Sequence, residues 1–423
     1  MRIYYSLSFP LPVEKDAKDY DLLAINLWKG KGYTSPQGEP TAFRPPLYPL
    51  FLCFCYHLFG HRFLPVRIIQ SLLGIATCWG IYLLGRKWKG EKVGLLSLAF
   101  SSLYPPFIYF YYAPRGILSE TLYLFLLIFS LYFLVLEEKK PLHIQRNLIL
   151  SGIFLGLATL TRSVSLLLLF IYALYLFLKE GKSKHLVRKL TCLTLSFLFI
   201  LFPWMVRNAV VFSHLVPVST NGGHTLYASN HPSSDGLGGE VYCRIVLPMD
   251  RELKKKGLNE AERSSYFFRE GLKFIWQNPG RSLKLFLKKF LLFWDFSQEN
   301  YLGGRRYLTY NFSYAFFLPF ALVGIYAGFK STNRYLTLLW LMLIIYFSLF
   351  HSLVHTCTRY RISIEPFLLI FSAGGIIYLW ENFKKKFIFY GILAGLLFLN
   401  TWVYFHYLLV LRIIKGYFRV AFG

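Results

Sequence analysis

Several acids and one arginine fall within a single polar stretch, DAKDYDLLAINLWKGKGYTSPQGEPTAFRPPLYP, which runs from Asp16 to Pro49. Asp16 and Tyr20 stand four residues apart, which on a helix puts them on one face, and Leu23, Ala24 and Leu27 continue an apolar side. The stretch therefore predicts a short amphipathic helix lying on a membrane surface. Gly30, Gly32, Pro36, Gly38 and Pro40 then break regular structure, and Arg44-Pro45-Pro46-Leu47-Tyr48 sets a fixed cation on a stiff turn. Asp19 lies about 300° around the helix from Asp16, at about 100° per residue, and can approach the same cleft, whereas Asp21 lies far around. Asp16 is also placed to cap a helix beginning at Ala17, a role that asparagine fills nearly as well.

A second set of charges stands at the ends of apolar runs, where charge is expensive unless used or paired. These are Arg115 and Glu120 in YAPRGILSETLY, Arg162 in LATLTRSVSL, Arg207 in PWMVRNAV, and Arg359 with Arg361 in HTCTRYRISIEPF. Snorkelling to headgroups accounts for Arg115 or Arg207 taken alone. Arg162 stands where two short apolar runs meet, so it either caps a tight hairpin or points into a polar cavity. Glu120 either pairs with Arg115 or joins a site, since a carboxylate near lipid seldom stays unpaired. An aspartate and several arginines in an otherwise hydrocarbon chain are the inventory for handling a lipid phosphate. Arginine binds phosphate bidentately and stays charged, while an ionised aspartate accepts a proton from a hydroxyl. Fixed cations in a water-poor cleft stabilise a departing phosphate without reorganising.

The elements that must position these residues are membrane helices. Of the 423 residues, 55% are hydrophobic, 19% aromatic and only 16% charged, which marks an integral membrane protein. Apolar runs recur from about Pro65 to about Tyr407, each needing ~20 residues to cross a ~30 Å hydrocarbon core. The net charge of +26 sits in short clusters between those runs, where headgroups and topology account for it, so no nucleic acid partner is expected. No cleavable signal peptide is evident in MRIYYSLSFPLP.

The expected spans are 66–85, 91–112, 117–136, 147–161, 163–179, 190–211, 313–329, 335–352, 362–380 and 387–409, giving an all-α polytopic bundle of about ten to eleven transmembrane helices. Residues 45–60 are read as a juxtamembrane helix on the outer face. Had they crossed, the clusters at 86–92, 137–146, 180–189, 330–334 and 382–386 would all face outward, against the positive-inside bias. Only Ile3 to Pro10 precedes the polar stretch, so a shortened first helix is expected there. Three regions result: 1–212, with a first external loop at 13–65 carrying the acid; an external loop at 213–310; and the C-terminal helices at 311–423.

Within the large external loop, LVPVSTNGGHTLYASNHPSSDGLGGE reads as turns. The part holding Glu262, Arg263, Arg269 and Glu270 among Tyr266, Phe267, Leu272 and Phe274, followed by LKLFLKKFLLFWDF, has the periodicity of interfacial helices. Cys243 and Cys357 share the outer side, but spacing alone is weak support for a disulfide. His214, His224, His231 and His355 fall in no recognised ligand spacing, which favours structural roles and assigns no metal ligand. A divalent cation bridging Asp16 and a donor phosphate stays open.

The order of Asp16-x-x-x-Tyr20 with LLAINLWKGKGY, RPPLYPLF, LYLLGRKWKGEKVGLLSLAFSSLYPP, LSETLYLFLL, GLATLTRSVSLLL, STNGGHTLYASN and RYRISIEPF resembles bacterial glycosyltransferases of the GT-C superfamily. More closely, it is similar to the group of protein O-mannosyltransferases and the aminoarabinose transferase of lipid A. The resemblance implies a polytopic helical fold in the cytoplasmic membrane, an active site facing the periplasm or exterior, and a catalytic carboxylate in the first outer loop. It also implies a polyprenyl-phosphate sugar as donor and a lipid, glycan or protein as acceptor. Asp16 best matches the acid, and Arg44 the basic residue that contacts the donor phosphate. The family usually has an acid directly after the catalytic one. Here Ala17 follows, so Asp19 stands as an alternative.

Taken together, these readings make Asp16, with Asp19 and Glu120 as alternates, the proton acceptor. Tyr20 is expected to position, and Arg44, Tyr48, Arg162, Arg359 and Arg361 to hold the donor phosphate. Direct displacement would invert the anomeric configuration. A flippase for a lipid-linked sugar would use the same cations along a pathway, but no paired interrupted half-helices and no inverted repeat support it.

Overall fold

The computed structural model describes residues 4, 8, 13, 14, 16–108, 116–136, 141–236, 238–302, 305–383 and 385–407. The expected shortened first helix falls mostly outside these residues, as do Arg115, Lys139 and Lys140.

Two short helices lead the chain, α1 (Asp16–Trp28) and α2 (Leu47–Phe59), packed against each other. The predicted apolar face of α1 is the one it buries, through Ala17, Tyr20, Leu23 and Ala24. With 13 residues, α2 is about 20 Å long, short of a ~30 Å hydrocarbon core. Then follow α3 (Phe63–Lys89), α4 (Glu91–Leu103), α5 (Glu120–Val135), α6 (Pro141–Thr161), α7 (Leu168–Glu180) and α8 (Lys184–Phe212). The span expected at 91–112 ends as regular helix at Leu103, because Pro105 and Pro106 cannot donate the next helical bonds.

The external segment is more helical than its sequence suggests. It holds α9 (Asn221–Ser229), α10 (Leu247–Lys255), α11 (Glu260–Gln277) and α12 (Pro279–Phe293). Within the Gly-rich part read as turns, Asn221–Ser229 is helical, α9, while the described residues just before and after it are bends and turns. Gly223 lets that helix lie directly on α11, since a Cβ there would stand 2.0 Å from the Ser264 carbonyl oxygen. Asn259 and Glu262 start α11 with a reciprocal capping box. A small antiparallel hairpin follows, β1 (Ser297–Leu302) with β2 (Arg305–Tyr310), which the all-α reading did not include. No disulfide joins Cys243 to Cys357.

The chain ends in α13 (Phe312–Phe329), α14 (Arg334–Leu353), α15 (Glu365–Asn382) and α16 (Lys386–Phe405). Among the described residues seven helices are long and apolar enough to cross a membrane, fewer than the ten to eleven expected. The expected spans outside that set are those at α4, whose regular helix has 13 residues, at α5, which has 16, and at α15. The chain is a multi-pass membrane protein.

Close backbone approach holds this bundle together. A Cβ on Gly324 of α13 would lie 1.8 Å from the Phe371 carbonyl oxygen of α15, and one on Gly375 would lie 2.0 Å from that of Phe320. At the end of α3, Trp88 is fully buried and donates from Nε1 to Thr337 Oγ1 at 3.0 Å. Its ring fills the space left by Gly374 and Gly328, where a Cβ would stand 2.3 and 2.8 Å away.

Candidate active site

The first loop, the start of α5, and the turn after α14 bring their charges to one place. Arg44 Nη2 donates to Asp16 Oδ1 at 2.8 Å and to Asp19 Oδ2 at 2.7 Å. Arg359 Nη2 takes the other Asp16 oxygen, Oδ2, at 2.8 Å. Arg359 Nε also lies 3.2 Å from Glu120 Oε1, the same oxygen that Arg162 Nη1 meets at 2.8 Å. Six residues thus form one chain of ion pairs, Asp19–Arg44–Asp16–Arg359–Glu120–Arg162, with formal charges that cancel.

Exposure grades along that chain. The Glu120 side chain is 2% exposed, that of Asp16 is 28% and that of Asp19 is 50%, so the cluster runs from the bundle interior to the surface. Burial pushes the Asp16 carboxyl up, but the guanidinium groups of Arg44 and Arg359 overcome this and hold it well below the usual carboxylate range. Burial likewise acts against the Arg44 charge, and Asp16 and Asp19 outweigh it, so the guanidinium stays protonated. Both oxygens of Asp16 are engaged by arginines, which is a different role from capping α1.

Two donors in the cluster have no hydrogen-bond partner among the described residues: Arg44 Nε and Arg359 Nε, the latter near Glu120 but not aligned on it. Glu120 Oε2 is likewise buried without a partner. The aromatic rings around the cluster are polar-edged. The Arg44 guanidinium lies 5.5 Å from the Tyr20 ring, and Arg162 lies 5.7 Å from Tyr123 and 5.2 Å from Tyr360. Tyr20 also reaches Ser119 Oγ at 3.4 Å.

Of the residues expected in the site, Asp16, Asp19, Tyr20, Arg44, Glu120, Arg162 and Arg359 are brought together. Tyr48 and Arg361 are not. The Tyr48 ring packs edge-on behind Tyr20 at 4.9 Å, and its hydroxyl donates to Gln70 Oε1 at 2.6 Å. Arg361 is fully buried, with Nε 3.1 Å from Glu365 Oε1 and its guanidinium 3.8 Å from the Tyr314 ring centroid. Arg207, read as snorkelling, instead donates to the backbone carbonyls of Thr41 at 2.8 Å and Tyr33 at 3.0 Å. Sequence reasoning passed over Tyr360 and Ser119; the position of Tyr360 between two arginines in RYR was a usable signal.

Asp16 has both oxygens on arginines, and Glu120 Oε1 meets two guanidinium groups while its Oε2 meets none among the described residues. Among the described residues no group of three or more His, Cys, Asp or Glu is arranged to hold a metal ion. His224 is committed to Asp250 at 2.8 Å, and His355 Nδ1 to Ser229 Oγ at 3.0 Å.

A family model described as dolichyl-phosphate-mannose-protein mannosyltransferase matches residues 43–206, from the end of the first loop into α8. The structure resembles ArnT from Cupriavidus metallidurans bound to undecaprenyl phosphate, at 14% identity and a TM-score of 0.57, covering 89% of this chain and 58% of that one. It resembles the oligosaccharyltransferase AglB from Archaeoglobus fulgidus in complex with an inhibitory peptide and a dolichol-phosphate, at 12% identity and a TM-score of 0.58, covering 93% and 51%. The chain therefore spans about half the length of these structures. No curated protein sequence matches it.

Proposed function

We propose that the chain is a glycosyltransferase that moves a sugar from a polyprenyl-phosphate donor to a lipid, glycan or protein acceptor. The observation that carries this reading is the pair of half-buried guanidinium groups, Arg44 and Arg359, gripping Asp16 while each keeps an Nε donor with no aligned hydrogen bond among the described residues. Fixed forked donors of this kind suit phosphate oxygens. The fold shared with a structure that binds undecaprenyl phosphate and another that binds a dolichol-phosphate supports the same donor class.

The acceptor hydroxyl or amine attacks the anomeric carbon, its proton goes to Asp16, and the bond from that carbon to the phosphate oxygen breaks with inversion. Arg44 and Arg359 stabilise the polyprenyl phosphate as it leaves. Held well below its usual range, Asp16 is a weak base in the arrangement seen here. A donor phosphate competes for the same two arginines, and each contact it withdraws from Asp16 raises the basicity of the carboxylate. Donor binding thus prepares the base.

Incubating the purified protein with radiolabelled polyprenyl-phosphate sugars and an acceptor extract tests this. Label appearing on an acceptor supports the enzyme, whereas label crossing a vesicle without transfer indicates a flippase. No step is assigned to a divalent ion. Turnover is expected to survive chelator treatment, and activity that is lost and then restored by added metal would reverse that assignment.

The membrane is the cytoplasmic one, with the site on its outer face, because the basic loops at 86–92, 180–189 and 330–334 then lie inside. A cysteine at Ser183 is accordingly expected to resist an impermeant reagent in intact cells, and labelling there would overturn the orientation.

A further inference from the structure

Arg44 can hold Asp16 and Asp19 only if its loop is fixed, and the contacts that fix it come from distant parts of the chain. Glu260, the first residue of α11, directs its carboxylate into that loop. Its Oε2 accepts from Thr41 Oγ1 at 2.6 Å, and its Oε1 from the Ala42 backbone N–H at 2.8 Å and from Thr220 Oγ1 at 2.5 Å. The Thr220 N–H in turn donates to the Ala42 carbonyl at 3.0 Å. Thr41, Ala42 and Thr220 are all buried. Three donors from two segments therefore converge on one carboxylate.

The other side of the loop is held separately. Arg207 of α8 donates to the Thr41 and Tyr33 carbonyls, and the Tyr33 hydroxyl donates to the carbonyl of Arg44 itself at 2.8 Å. Beyond Arg44, Pro45 and Pro46 lead stiffly into α2. The backbone on both sides of Arg44 is thus constrained, and on its N-terminal side the constraint is shared by Arg207 and by a carboxylate of the external segment.

We propose that Glu260 is a positioning residue for the donor site, acting through Thr41 and Ala42 to set where the Arg44 guanidinium stands. The proposal rests on the reading of Arg44 as a donor-phosphate contact. It makes α11 part of the donor-binding apparatus, although α11 contributes no side chain to the ion-pair chain. A glutamine in place of Glu260 keeps one carbonyl acceptor and turns the other oxygen into a donor facing the Thr41 hydroxyl or the Ala42 N–H. With the carbonyl kept for the Ala42 N–H and Thr220, the Thr41 hydroxyl loses its acceptor and faces an N–H donor instead.

The test is a double-mutant cycle on the full-length protein, reading affinity for a sugar-free polyprenyl phosphate by calorimetry alongside thermal unfolding. Glu260→Gln is expected to weaken that affinity about tenfold with little change in unfolding midpoint, and to weaken it no further in an Arg44→Ala background, as for residues acting through one contact. Unchanged affinity in Glu260→Gln, or losses that multiply in the double variant, would overturn the proposal while leaving the donor site in place. An Arg44→Ala protein with wild-type affinity would overturn the donor reading itself, and the proposal with it. Where Glu260→Gln lowers the unfolding midpoint, Thr41→Val, which removes a single hydroxyl from the set, takes its place in the same cycle and is expected to show the same non-additivity.

Discussion

Arg359 and Arg361 are two residues apart, both stand within buried surroundings, and both face a glutamate, yet they do different things. Arg359 bridges Asp16 and Glu120 in an open series of ion pairs that reaches the surface through Asp19. Arg361 closes on Glu365 of its own segment and on the Tyr314 ring, with no exposure at all. The first arrangement links several acids and arginines in a series that opens to the surface. The second is enclosed, with Arg361 held by Glu365, the Tyr314 ring and the Asp295 carbonyl. An arginine near a membrane helix end is therefore informative only with its partners known. One that shares carboxylates with other arginines is poised for exchange, and one locked to a single glutamate holds the fold.

The comparison breaks most visibly at Asp16. Asp16→Asn removes the proposed proton acceptor while keeping size and hydrogen bonding, so turnover is expected to fall ~10²–10⁴-fold with donor binding retained. Near-normal turnover would move the acid to Asp19 or Glu120. The depressed carboxyl of Asp16 also fixes the sign of its contribution to folding. Because its folded pKa lies below the unfolded one, that stability is fully present above the ordinary carboxylate pKa of about 4 and is lost as the pH falls further.

Arg361→Ala is expected to act on the other side of the comparison. It strands Glu365 in the interior and destabilises by about 3–5 kcal/mol, the scale for breaking a buried pair. Unfolding in detergent measures this, and the fraction that remains folded should bind donor normally. A selective loss of donor affinity without destabilisation would return Arg361 to the site.

The smallest effect is expected at Asp21, which accepts from the Tyr56 hydroxyl at 2.6 Å and pairs with His61 at 2.9 Å, away from the arginines. Asp21→Asn should change turnover by no more than about twofold, in line with substitutions remote from a site. A large loss there would show that the working acid lies on a different face of α1.

What the sequence made legible follows physical range. The face of α1 that carries Asp16 and Tyr20 is a matter of helical period, and the stiff turn at Arg44 is a matter of proline chemistry, so both were readable locally. The separation of Arg359 from Arg361 was not. They lie in a 3₁₀ turn, Thr358–Ser363, where two residues differ by about 240°, and no propensity announces such a turn. The helix α9 hid behind Gly222 and Gly223, because glycine for close helix packing and glycine for a turn look alike in one sequence. Pairings such as Arg162 with Glu120 or Glu260 with Thr41 span tens to hundreds of positions, and periodicity carries no signal at that range.

Trp88 gives the bundle a fulcrum. Its ring, seated against Gly374 and Gly328 and tied to Thr337, joins the end of α3, the end of α13, the first turn of α14 and the middle of α15, and an added Cβ on either glycine would collide with it. At the site end the same architecture is joined by ion pairs that a phosphate can replace. Helices pinned at one end and fastened by exchangeable charges at the other can splay only where the charges are, so any widening that admits a bulky lipid headgroup must begin at the mouth and die out toward the tryptophan.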